Sequence, residues 1–130
     1  MKDWKRLRGC LQLVAVAGLM LTVGCRSKLV EVRVVNSGTT DLHNVEVDYP
    51  SASFGMSNLA AGTTYIYRIQ LQDAGRMKVE FSDNKELPHS GKGPYVKEGQ
   101  QGTLTLTLDA SGKNQWNTQL HPEVKVPAGD

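Results

Sequence analysis

Apolar and polar residues alternate with a period of two along most of the chain beyond residue 28, as they do in strands that bury one face. In Leu29–Val35, Val30, Val32 and Val34 share one face and Glu31 and Arg33 the other. Val45, Val47 and Tyr49 alternate with Asn44, Glu46 and Asp48, and His43 falls in phase with the valines, at the rim of the expected core. Residues 51–62 read as irregular, with Phe54, Met56 and Leu59 as core plugs. Thr64–Leu71 puts Tyr65, Tyr67, Ile69 and Leu71 on one face, which predicts that both tyrosines pack in the core. The short connection Asp73-Ala74-Gly75 predicts that Arg76–Phe81 returns antiparallel to that strand, with Met77, Val79 and Phe81 inward. Leu87–Val96 is interrupted by Pro88, Gly91, Gly93 and Pro94 and suits only an edge strand or a loop. In Thr103–Asp109, three leucines alternate with three threonines. Trp116, Thr118 and Leu120 outline a last short strand, and residues 122–130 a tail.

The turns between these segments are rich in Gly, Asn, Asp and Ser, at 36–41, 82–85 and 110–114. No helical period of useful length follows Cys25. Together these features predict an all-β fold: a single antiparallel Ig-like β-sandwich spanning residues 29–121. Val34-Val35-Asn36-Ser37-Gly38-Thr39-Thr40-Asp41-Leu42, then Val45 and Val47, then Asn58-Leu59-Ala60-Ala61-Gly62 before a strand, resembles the bacterial Ig-like repeats of the CARDB type. The resemblance covers roughly residues 30–71. It implies an adhesion or spacer module and brings no catalytic residues with it.

The beginning of the chain has a different character. Lys2, Lys5, Arg6 and Arg8 precede a run, residues 11–23, that is apolar apart from Gln12 and Thr22. Such a run is shorter than the roughly 20 residues a spanning helix needs. A basic start followed by a short apolar run is the plan of an export signal. The run ends in Leu21-Thr22-Val23-Gly24-Cys25, which is similar to the lipobox of bacterial lipoproteins. That family prefers Leu three residues before the cysteine; here Thr22 holds that position and Leu21 lies one step further out. The resemblance implies cleavage between Gly24 and Cys25, a diacylglycerol on the Cys25 sulfur, and usually an acyl chain, such as palmitate, on the new amino group. Residues 1–24 are then the signal peptide and 25–28 the lipidated cysteine and a short tether. Arg26, rather than Asp, after the cysteine implies by the same resemblance an outer-membrane location, facing the periplasm or the cell surface. Arg26 and Lys28 would lie at headgroup level.

This cut changes the charge and the cysteine count. The first 24 residues hold four of the 15 basic and one of the 13 acidic residues, so 25–130 carries 11 against 12. These charges are interspersed, so no nucleic-acid partner is expected. On this resemblance Cys10 would leave with the signal and Cys25 would be consumed by lipid, so no disulfide is expected.

Few residues suggest chemistry. His43, His89 and His121 fall in separate segments without metal-ligand spacing, so no metal site is expected. His89-Ser90-Gly91 lacks the flanking glycines of a nucleophile elbow, with Pro88 and Lys92 in their places. Gly91-Lys92-Gly93 lacks the Ser or Thr and the helix of a phosphate loop. Asp83, Asn84 and Glu86 lack the remaining oxygen ligands of a calcium loop. No catalytic residue and no cofactor is therefore expected. The stretch Ser90–Lys97, with Lys92 and an exposed Tyr95, together with Trp116, is the candidate partner-binding surface. The reading is a membrane-anchored envelope lipoprotein acting as a non-catalytic interaction or structural module. Its partners would be membrane lipid through Cys25 and an envelope protein or cell-wall component. A small-ligand-binding lipoprotein is the alternative.

Overall fold

The computed structural model describes residues 28–127. The expectations for residues 1–27, Gly24 and Cys25 among them, lie outside the described residues.

The described chain forms eight strands: β1 Val30–Asn36, β2 Leu42–Tyr49, β3 Ala52–Leu59, β4 Thr64–Ile69, β5 Gly75–Ser82, β6 Pro88–Val96, β7 Gln101–Leu108 and β8 Asn114–His121. They make two four-stranded sheets, in the orders β4-β1-β7-β8 and β3-β2-β5-β6. The expected all-β sandwich is thus present, with no helix among the described residues. Neighbouring strands run antiparallel except β1 and β7, which run parallel. The chain stays within one sheet for the hairpins β2–β3, β5–β6 and β7–β8 and changes sheet at every other connection.

Period-two alternation builds the core directly. Val30, Val32 and Val34 of β1 and Leu104, Leu106 and Leu108 of β7 face Val45, Val47, Met77, Val79 and Phe81 of the opposite sheet, all essentially without solvent contact. β1 and β7 pair in register, Val32 beside Leu104 and Val34 beside Leu106. The β-branched and leucine side chains therefore form one continuous apolar layer.

Residues 51–62 are more regular than the sequence predicts, because 52–59 form the edge strand β3. Its serines and Gly55 have little strand preference of their own. Pairing with β2 supplies the order, with Phe54 beside Val47 and Leu59 beside Leu42. A second difference comes from a β-bulge in β2 between His43 and Glu46, where Asn44 takes φ 48°. The extra residue shifts the phase, so Leu42 and Val45 both point inward. His43, expected at the rim of the core in phase with Val45, loses that place to Leu42 and is only half-buried. The bulge presses the Val45 carbonyl toward β3, where a Cβ at position 55 would stand 2.7 Å from it. Gly55 leaves room for that approach.

The predicted β4–β5 hairpin does not form. β4 pairs with β1, and β5 pairs with β2 and β6, in the other sheet. Asn36, fully buried at the end of β1, ties down the crossing that takes the place of that hairpin. Its Nδ2 donates to the carbonyls of Thr40 (2.9 Å) and Leu59 (3.0 Å), and its Oδ1 accepts from the Gly38 amide (3.0 Å). Its backbone joins the start of β4, with Asn36 N donating to Thr63 O and Gly62 N to Asn36 O. One side chain therefore closes the β1–β2 turn and fixes where the chain leaves β3 and crosses to β1. Leu71 is buried in the β4–β5 connection, which helps hold that crossing in place.

Candidate functional site

The two open sides of the sandwich hold most of the aromatic residues among those described. On one side the edge strands β6 and β8 face each other, and on the other β3 and β4 meet through the rings of Phe54 and Tyr67.

β6 is the edge strand the prolines and glycines predict. A bulge between Tyr95 and Lys92 accommodates Gly93-Pro94 opposite Met77. The inward glycines make room for side chains of β8. A Cβ on Gly93 would stand 2.9 Å from the Trp116 ring, and one on Gly91 would collide with the Asn114 side chain. Trp116 is thus a plug packed against the core, half-buried between the two sheets. Its indole N–H is buried with no hydrogen-bond partner among the described residues.

The residues expected to form one binding surface therefore diverge. Lys92 alternates with the inward glycines, is exposed, and sits across from Lys78 on the outer face. Trp116 points into the sandwich. Tyr95, expected to be exposed, is half-buried and lines an open hollow of about 540 Å³ with Gln100, Thr118, Leu120, His121 and Glu123. Tyr95 and the imidazole of His121 are the rings that line that hollow among the described residues. Gln100 is buried, donating to Pro122 O (2.8 Å) and accepting from Lys97 N (2.8 Å). Its amide is spent on holding the chain around the hollow.

His89 has a partner that the sequence did not suggest. Asp83 is nearly buried and accepts from the amides of Lys85 (2.8 Å) and Leu87 (3.0 Å), while its other oxygen meets His89 Nε2 at 3.0 Å. An ionised carboxylate only accepts, so Nε2 donates. The imidazole also lies against Phe81, with ring centroids 5.3 Å apart. Ser90 follows His89 directly on the strand, so its side chain leaves by the opposite face. The Asp83–His89 pair braces the β5–β6 turn and does not activate that hydroxyl.

The His89 hydrogen bond, with help from the Leu87 and Lys85 amides, holds the Asp83 carboxyl below its ordinary pKa. A depressed folded-state pKa adds stability above the unfolded value, and that stability is lost as pH falls through the folded value. Wild-type protein should therefore lose stability as pH drops below about 4. In Asp83→Asn, which keeps the shape but not the charge, that acid limb should be shallower. Denaturation midpoints measured across the acid range check this, and parallel curves would refute it. Asp109 contributes to the acid limb of both proteins, because the Ser111 hydroxyl lowers its pKa in the same direction.

On the other open side, Phe54 of β3 stacks on Tyr67 of β4 (centroids 4.5 Å, planes 19° apart), and Tyr49 lies 6.4 Å from Phe54. The core packing expected of Tyr65 and Tyr67 is only partly realised, since at the sheet edge they stay 37% and 41% exposed. Ile66, on the outer face between them, is 53% exposed. The sequence held a signal for this surface: Ile66 places a third large apolar residue out of phase with the buried face.

Among known structures, the chain is similar to a protein from Eubacterium rectale solved by NMR, with a TM-score of 0.53 and 12% identity. The likeness covers 80% of this chain and 100% of that one. It is a likeness of fold alone. No family model matches the chain, and no curated protein matches it.

Proposed function

We propose that this chain is a membrane-anchored bacterial envelope lipoprotein whose β-sandwich acts as a non-catalytic interaction or structural module of the CARDB-like kind. The observation that carries this reading is Leu21-Thr22-Val23-Gly24-Cys25 at the end of an apolar run, with β1 starting at Val30. The four residues between Cys25 and β1 reach at most about 14 Å when extended. Such a tether keeps the domain against the membrane surface. Acyl chains on Cys25 would hold it there, each buried methylene contributing about 0.8 kcal/mol. Arg26 favours the outer membrane.

An interaction role is supported by the exposed apolar edge at Tyr65–Tyr67. A small-ligand role would use the open hollow beside Tyr95 and His121, whose remaining lining is mostly polar.

Cys25→Ser is expected to move the protein from the membrane to the soluble fraction. It should also abolish the mass increase of two or three acyl chains on intact-mass spectrometry. Cross-linking in intact cells then reads the function. One dominant adduct that disappears in Cys25→Ser supports the interaction module. A membrane-retained Cys25→Ser protein with unchanged mass would remove the lipoprotein reading.

A further inference from the structure

We propose that the protein forms a two-fold symmetric dimer in which the β4 strands of two copies pair antiparallel and join their sheets into one. β4 ends the sheet β4-β1-β7-β8, so one side of its backbone has no neighbouring strand among the described residues. Exposed edges of this kind are usually blunted by proline, charge or a bulge. β6 has all three, in Pro88, Pro94, Lys92 and the bulge at Gly93-Pro94. β3 is interrupted by Gly55, and β8 shows the amides of Gln115, Asn117 and Gln119 on its outer face. β4, Thr64-Tyr65-Ile66-Tyr67-Arg68-Ile69, carries one charge, Arg68, but has neither proline nor glycine and consists mostly of strong strand formers.

The sequence of β4 indicates which partner fits. Tyr65-Ile66-Tyr67 reads the same in both directions about Ile66. Antiparallel self-pairing centred there puts Ile66 opposite its own copy, each Tyr65 opposite a Tyr67, and each Arg68 opposite a Thr64. No like charges face each other, and both cross-strand tyrosine pairs are of the stabilising aromatic type. A shift of one residue would set the outer face of one copy against the inner face of the other. Tyr67 is already held by its stack on Phe54, so less side-chain freedom is lost on pairing. The proposal does not depend on lipidation of Cys25, because β4 belongs to the folded domain.

Sedimentation equilibrium of the full chain in density-matched detergent tests it. The wild type is expected to be dimeric at concentrations on the order of 10 μM, as paired edge strands with aromatic contacts allow. Ile66→Lys places two ammonium groups face to face and should raise the dissociation constant by at least about tenfold. Its circular dichroism spectrum should match the wild type, since residue 66 lies outside the core. Thr64→Glu sets a carboxylate opposite each Arg68 and should tighten the dimer by about fivefold. A monomeric wild type, a dimer untouched by Ile66→Lys, or no tightening by Thr64→Glu would each overturn the proposal. So would a photo-cross-linker at position 66 that captures another protein while the chain itself sediments as a monomer.

Discussion

Asn36→Ala is expected to lower the unfolding free energy by about 3 kcal/mol, a large share of the roughly 5–15 kcal/mol available to a domain of this size. The truncation removes three hydrogen bonds and leaves the carbonyls of Leu59 and Thr40 and the amide of Gly38 without their partner. Each buried group stripped in this way costs about 1–3 kcal/mol, whereas a hydrogen bond that is merely exchanged for water costs less. The loss should be larger still in Asn36→Asp. A carboxylate cannot donate, and it would face two carbonyl oxygens in a site without solvent. Urea denaturation with an unchanged slope reads the effect as a shift in midpoint. A loss below about 1 kcal/mol for Asn36→Ala would mean that the turn and the β3–β4 crossing are held by backbone pairing alone.

Trp116→Ala should cost about 2–3 kcal/mol, toward the lower end for aromatic truncations because the ring is only half-buried. The indole fills the gap between the two sheets above Gly93, and removing it opens a void that neither edge strand can close. Trp116→Phe should be close to neutral, since it keeps most of the ring and deletes a buried N–H that has no partner among the described residues. Gly93→Val tests the same contact from the other strand. In the wild type it drives the ring outward and destabilises, whereas in Trp116→Ala the added methyls enter the void. The two substitutions should therefore couple by about 1 kcal/mol or more, with the double variant more stable than additivity allows. Strict additivity would mean that the ring does not sit on Gly93. The result also bears on function. If Trp116 is a plug, any binding defect in Trp116→Ala must be corrected for lost fold, and Tyr95→Ala and Lys92→Ala become the cleaner probes of the β6 surface.

Much of the candidate chemistry was legible only as single residues. His89 was visible, but Asp83, six residues away across a turn, has no spacing signature that marks it as the imidazole's partner. Gly91 and Gly93 read as breakers of a strand, while their role is steric: they clear the inward face of β6 for Asn114 and Trp116. Tyr65 and Tyr67 have the right phase for the core, yet phase does not reveal whether a strand is central or at an edge.

The chain by itself determined the strands β1, β2, β5 and β7, the apolar faces of their valines and leucines, and the all-β class. A period of two commits each alternate side chain to one face, so one buried face is specified locally. It also carried the lipobox-like stretch before the domain, whose test is chemical. Tertiary structure decided the rest. It placed β4 beside β1, where a buried Asn36 binds the ends of β1 and β3 together, and it made a strand of Ala52–Leu59 because β2 offered an open edge. The bulges at Asn44 and Gly93 reset the phase of two strands, so that Leu42 and Val96 reached the core. Each of these outcomes depends on a hydrogen bond or a contact between different strands. Their free energy exists only once the paired strands have met, so the alternation within one strand does not encode it.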